Sequence, residues 1–138
     1  MTALLATAVL VLAAASPAAA QAIGVVAPTA EAVALLGGQM HAGAEVAAAT
    51  HGIAPERLVF ADDQCTAEGG AGAARQLAAA DVGIVVGFLC TEAIEAALPI
   101  LKEAGIPVVT PGVRTDSLTD RRDRTGWPVF RSGPRDDG

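Results

Sequence analysis

The chain has 138 residues, of which 52% are hydrophobic and 3% aromatic, and it carries a formal net charge of −6. That length suits one domain, and the negative balance argues against a partner recognised through its phosphate backbone. Alanine supplies much of the apolar content, so the high hydrophobic fraction is not a membrane signal in itself.

Residues 1–20, MTALLATAVLVLAAASPAAA, contain an apolar run from Ala3 to Ala15 and then small residues around Pro17. The run is too short to span a bilayer and has the layout of an export leader ending at Ala18-Ala19-Ala20, with cleavage after Ala22 as the alternative. No Lys or Arg precedes the run, which departs from the usual leader pattern. Export bears on Cys65 and Cys90: in an oxidising compartment they form a candidate disulfide, whereas in cytosol they would be free or catalytic. Both follow predicted strands, which places them at one sheet edge. A metal site built on Asp62, Asp63 and Cys65 lacks a nearby histidine and a second thiolate.

Ile23 to Ala27 is the first predicted strand, ended by Pro28. A helix follows over Leu36 to His51, with Leu36, Met40, Ala44 and Ala47 on one face and Gly52 as its stop. Leu58 to Ala61 is the second strand; Asp62 and Asp63 after it are read as turn caps rather than an acid/base pair, because adjacent residues at a strand end point opposite ways. Thr66 to Ala80 reads as helical. The glycines at its start do not make a nucleotide loop: Arg75 stands where the last glycine of G-x-G-x-x-G belongs, and no Lys-Ser/Thr follows.

Val82 to Phe88 is a short β-branched run of the kind buried on both faces of a parallel sheet. Beyond it lie Leu89, Cys90 and Thr91, with Thr91 read as the N-cap of a helix that carries Glu92 and Glu95 in its first turn, Lys102 in its last and Gly105 as its stop. A strand over Ile106 to Thr110 then empties into Pro111, Gly112, Val113, Arg114 and Thr115. The loops at 89–91 and 111–115 are expected to face one crevice, since ligands of open α/β sheets sit beyond the carboxyl ends of the strands. The helix start at Thr91 adds backbone N–H groups that favour a carboxylate, although Glu92 and Glu95 compete for that end.

A polar stretch runs from Asp116 to Gly126, with aspartates and arginines interleaved as on a solvated surface. A short strand is expected at Val129 to Arg131, with Trp127 and Phe130 covering a sheet edge. The order βαβαβαβ(β) predicts an α/β fold, a parallel sheet with helices on both faces. His41 and His51 read as surface or capping residues. No G-x-S-x-G, H-E-x-x-H or C-x-x-C motif occurs, so the residues give little support to catalysis, and neither a cofactor nor a metal is expected.

The runs LVFADDQC, VGIVVGFLCTE and AGIPVVTPGVRTDSLT, together with GGQMHAGAE at 37–45, resemble the leucine/isoleucine/valine-binding proteins, the type I periplasmic substrate-binding proteins of ABC importers. The resemblance covers about residues 23–138. It implies a disulfide between Cys65 and Cys90, two α/β lobes that close on an amino acid, a membrane permease as partner and a periplasmic location, without membrane insertion after the leader is removed. It also implies that Leu89, Cys90 and Thr91 hold the ligand's α-carboxylate, that Gly112, Val113 and Arg114 form the second contacting loop, and that Leu36 faces the ligand.

Two residues depart from the branched-chain binders. Arg114 replaces a threonine, and would pair with an additional acid group on the ligand, yield its place to Thr115, or face solvent. Leu36 replaces an aromatic. Members of that family are much longer, so residues 21–138 read as a partial, truncated N-terminal lobe of periplasmic binding protein-like I type, expected to bind ligand weakly or not at all alone. The alternative functions are an amide or amino-acid sensor of the same fold and, more distantly, a small flavodoxin-like enzyme.

Overall fold

The computed structural model describes residues 21–136; the leader reading of residues 1–20 lies outside them. Five parallel strands form one sheet in the order β2-β1-β3-β4-β5. They are β1 Ala22–Val26, β2 Leu58–Ala61, β3 Val82–Gly87, β4 Val108–Thr110 and β5 Val129–Arg131. Strand order reverses at β1, which pairs with β2 on one side and with β3 on the other. The α/β parallel architecture is thus the one expected, including the short fifth strand.

Strand alternation sends side chains to two unlike faces. On one, Gly24 lies against Leu77 of α2 (Ala67–Ala79), and α2 packs along α3 (Thr91–Glu103). Leu77, Val85, Ile94, Leu98, Leu101, Val108 and Val129 are fully buried there. The two helices approach closely because Gly70 offers no side chain: a Cβ there would sit 2.1 Å from the Ala93 carbonyl oxygen. This close contact accounts for one of the glycines that resemble a nucleotide loop in sequence.

The other face carries α1 (Ala34–Thr50), entered through a 3-10 turn at Glu31–Val33. The helix starts two residues earlier than predicted, and its inward stripe is rotated by about one residue. Gly37 and Ala48 are its buried positions, Met40, His41 and Ala44 are half-buried, and Leu36 and Ala47 are exposed. The physical cause is Gly37, where a Cβ would fall 1.9 Å from the Pro28 carbonyl oxygen, so the backbone itself presses on the end of β1. His41 stacks on Phe60 with ring centroids 3.7 Å apart, which removes it from the plain surface role expected for it.

The polar stretch after β4 contains two short helices, α4 (Ser117–Asp120) and α5 (Arg122–Thr125). Trp127 packs against the core, as a residue covering the sheet edge would. Phe130 does not: it is 51% exposed, with the Arg122 guanidinium 4.9 Å from its ring centre. No helix among the described residues is long and apolar enough to cross a membrane.

Candidate functional site

The turns following β1, β2, β3 and β4 all leave the sheet at its carboxyl edge, and those after β1 and β3 flank the point where strand order reverses. Three sets of bonds join these turns. After β2, Asp62 accepts hydrogen bonds from the Thr29 N–H (3.0 Å) and the Gln64 N–H (2.8 Å), tying the β1 turn to the β2 turn. Its carboxylate also accepts from the Thr29 hydroxyl and the Gln64 side-chain amide. Burial alone would raise the Asp62 pKa, but these four donors outweigh it and hold the group below its ordinary value.

Asp63 points the opposite way, as adjacent strand-end residues should, and is fully buried. Its Oδ1 accepts from the Cys65 N–H at 3.0 Å, while Oδ2 has no hydrogen-bond partner. Desolvation pushes its pKa up, the Cys65 bond partly opposes that, and the charges of Asp62 and Glu92 add to the rise. Both aspartates therefore act within turns, as the sequence suggests.

Cys65 and Cys90 are joined by a disulfide with Cα atoms 5.3 Å apart. Cys65 immediately precedes Thr66, the N-cap of α2, and Cys90 is the N-cap of α3, so the bond links the starting ends of the two core helices. Thr91, expected as the cap, is instead the first residue inside α3. The two helix starts differ in chemistry: the Thr66 hydroxyl accepts from the Gly69 N–H at 3.0 Å, whereas no side chain caps α3. The first intrahelical bond of α3 is Ile94 N–H to the Cys90 carbonyl, leaving the N–H groups of Thr91, Glu92 and Ala93 ahead of it. Glu95 does not occupy this end, since its Oε1 accepts from the Ser117 hydroxyl at 3.1 Å; Glu92 is exposed.

The β3 and β4 turns converge. Phe88 is fully buried with φ of 67°, a left-handed conformation that a bulky residue adopts only when its surroundings impose it. Its carbonyl accepts from the Thr110 hydroxyl (3.3 Å), which in turn accepts from the Val113 N–H (3.1 Å). Gly112 lies against Leu89, and a Cβ on it would fall 2.5 Å from Leu89 Cδ2. At the rim the Thr91 and Thr115 hydroxyls meet at 2.8 Å.

Leu89, Cys90, Thr91, Gly112 and Thr115 are thus brought together. Val113 belongs to this loop, but its side chain is buried in the core, drawn in by its own apolar character. Arg114 is turned onto the following segment, donating from Nε to the Pro134 carbonyl and from Nη2 to the Arg135 carbonyl, each at 3.3 Å, with Asp136 Oδ1 also 3.3 Å from Nε. Leu36 stands exposed at the start of α1, after the neighbouring strand β1. Sequence reasoning missed the bridging role of Thr110; a hydroxyl residue closing a buried strand directly before Pro111-Gly112 was the available signal.

A five-stranded parallel sheet with a disulfide across its carboxyl edge and two joined loops over an uncapped helix start has the fold of the type I ABC solute-binding proteins. In sequence the chain resembles the Leu/Ile/Val-binding proteins. It is 36% identical over 120 residues to Leu/Ile/Val-binding protein homolog 3 of Brucella melitensis, covering 83% of this chain and 32% of that protein. The chain therefore spans about a third of the length of the curated relative it matches.

Its fold is similar to that of the branched-chain amino acid substrate-binding protein LivJ of Streptococcus pneumoniae in complex with isoleucine, with TM-score 0.73, 23% identity, and 86% of this chain and 35% of that one covered. A solute-binding protein of an ABC transporter from R. palustris in complex with 4-hydroxybenzoate aligns with TM-score 0.70 and 22% identity, over 83% of this chain and 32% of that one. No family model matches the chain. These proteins are binding proteins by name, not enzymes.

Proposed function

We propose that this chain forms part of the first lobe of a periplasmic solute-binding protein that delivers an amino acid, of branched-chain type or a related polar or acidic ligand, to the permease of an ABC importer. Residues 1–20 act as its export leader. The observation that carries the reading is the Thr91–Thr115 hydroxyl pair, 2.8 Å apart, at the start of α3, whose N–H groups no side chain caps. A ligand carboxylate placed there accepts from both hydroxyls, each turning its single proton from the other to the ligand, and from the first N–H groups of α3, where the helix dipole favours negative charge.

Leu89, Cys90 and Gly112 supply the backbone and close packing that hold those donors, and Val113 anchors the second loop from inside the core. Leu36 offers an apolar contact from the β1 side. Because Arg114 is engaged by residues 134–136, Thr115 takes the polar role in this loop. The similarity to Leu/Ile/Val-binding protein homolog 3 supports an amino acid as cargo, and the 4-hydroxybenzoate complex of a similar fold supports the carboxylate as the shared feature of the ligands.

The test is calorimetric titration of the whole two-lobed protein that this reading implies, purified from its own host, with L-isoleucine, L-glutamate and 4-hydroxybenzoate. Saturable binding of at least one is expected, weakened about tenfold by Thr91→Ala and by Thr115→Val through the loss of a hydrogen bond to a charged group. Binding that neither substitution weakens would place the site elsewhere, and absence of binding to all three would remove this ligand class.

A further inference from the structure

We infer that Arg131 is a positioning residue for the second ligand loop: its fork of N–H groups fixes the carbonyls of that loop and so sets the Thr115 hydroxyl on Thr91. The inference rests on reading the Thr91–Thr115 contact as part of the ligand site. Arg131 ends β5, directly beside Thr110 in the sheet register, and its side chain is only 8% exposed. Nη1 donates to the Arg114 carbonyl at 2.8 Å and to the Thr115 carbonyl at 3.5 Å, and Nη2 donates to the Thr119 hydroxyl at 2.7 Å. The loop therefore leaves β4, passes over the guanidinium and is held to β5 at two consecutive carbonyls just where Thr115 turns toward α3.

The chemistry needs arginine. A planar guanidinium presents donors in fixed, divergent directions and can serve three acceptors at once, whereas a lysine ammonium is a point charge on a flexible stem. A charge this enclosed also needs a counter-charge close by. Asp116 supplies it, 3.7 Å from Nη1, and is itself held by Arg135 at 3.3 Å, which in turn pairs with Asp120 at 2.8 Å. The result is a chain of contacts from the sheet edge to the helix start: Arg131 to the Thr115 carbonyl, Thr115 to Thr91 through their hydroxyls, and Thr91 into the first turn of α3. Arg114, the loop's own arginine, is half exposed and turns its donors away from this chain of contacts, onto the Pro134 and Arg135 carbonyls.

Hydrogen–deuterium exchange on the intact protein tests this without a ligand. Arg131→Lys is expected to speed exchange of the amides of residues 112–119 by about tenfold and, because the hydroxyl contact slackens, that of the first turn of α3 as well, while β1 and β2 keep the wild-type rate. Thr115→Val should reproduce the α3 effect without loosening residues 116–119. Should Arg131→Lys fail to fold, Asp116→Asn, which keeps the fork and removes its counter-charge, is expected to give the same pattern at smaller amplitude.

Exchange unchanged at α3 in Arg131→Lys (or in Asp116→Asn as its substitute) while Thr115→Val alters it would reduce Arg131 to a loop staple and overturn the inference. Titration with L-isoleucine separates the two readings. If the wild type binds and Arg131→Lys binds equally well, the inference fails alone; if the wild type takes up none, the L-isoleucine reading fails while the exchange pattern still decides the role of Arg131.

Discussion

The two faces of the sheet are built differently. Against one, α2 and α3 close a continuous core in which Leu77, Ile94, Leu98 and Leu101 are fully buried. Against the other, α1 buries only Gly37 and Ala48 and leaves Leu35 at 76% and Val46 at 65% exposure. Grooves beside α1 remain open over Ile23, Val25 and Val86. The closed face is also the one whose helix starts are tied by the disulfide and whose α3 faces the second loop. The structural order of the candidate site is thus supplied by the closed face, and α1 is the more loosely held wall. Apolar residues are spread around α1 with Gln39, His41 and Glu45 among them, so no one face of it is marked for burial.

This contrast can be broken in measurable ways. The largest effect is expected from Leu77→Ala, which empties the centre of the closed face and should cost about 2–5 kcal/mol in denaturant unfolding. A loss under about 1 kcal/mol would mean that face repacks freely. Next, Gly70→Ala and Gly37→Ala gain the same helix propensity, about 1 kcal/mol, so their difference reports packing alone. Gly70→Ala should destabilise by about 1–3 kcal/mol because α2 cannot leave α3, and Gly37→Ala by less, because α1 must also move off the Pro28 carbonyl but has little buried contact to lose in doing so. Equal losses would erase the distinction between the faces.

A smaller and pH-dependent effect belongs to Asp63. Its folded pKa lies above the ordinary 3.8, so the folded state binds protons more readily than the unfolded one. Stability from this group falls as pH rises from the ordinary value through the raised one, and the penalty is fully present above both. Asp63→Asn should therefore stabilise the protein at neutral pH, with the gap closing as pH approaches 3.8. Asp62 runs the other way: its depressed pKa contributes stability above the ordinary value that is lost as pH falls through the folded one. Unfolding curves carried from about pH 7 down to about pH 3 separate the two, because the Asp63 effect lies above 3.8 and the Asp62 effect below it, and an Asp63→Asn variant no more stable than wild type at neutral pH would contradict the assignment. Least of all, Leu35→Ala should change stability by no more than about 0.5 kcal/mol, since the side chain is already in water.

Much of this was legible in the residues. The β-branched runs, the Gly and Pro stops and the two cysteines after strands were sufficient for the parallel sheet, the crossover helices and the paired loops, because each is a local preference repeated at the correct spacing. The α1 boundaries and inward face were not legible, because alanine and glycine leave a helix without a marked apolar side, and its rotation was decided by one backbone contact at Gly37. Thr91 looked like a cap since threonine favours that position; Cys90 holds it instead, and the Thr91 hydroxyl meets Thr115.

By itself, then, the amino-acid sequence determined the class of fold and which loops share an edge, since strand and helix signals act over a few residues. Only the tertiary structure decided which donors meet across that edge. Thr115 facing Thr91, Arg114 drawn to residues 134–136, Thr110 bridging two turns and Arg131 beneath the loop all depend on side chains from different strands being brought within hydrogen-bond distance, and no local preference encodes that distance.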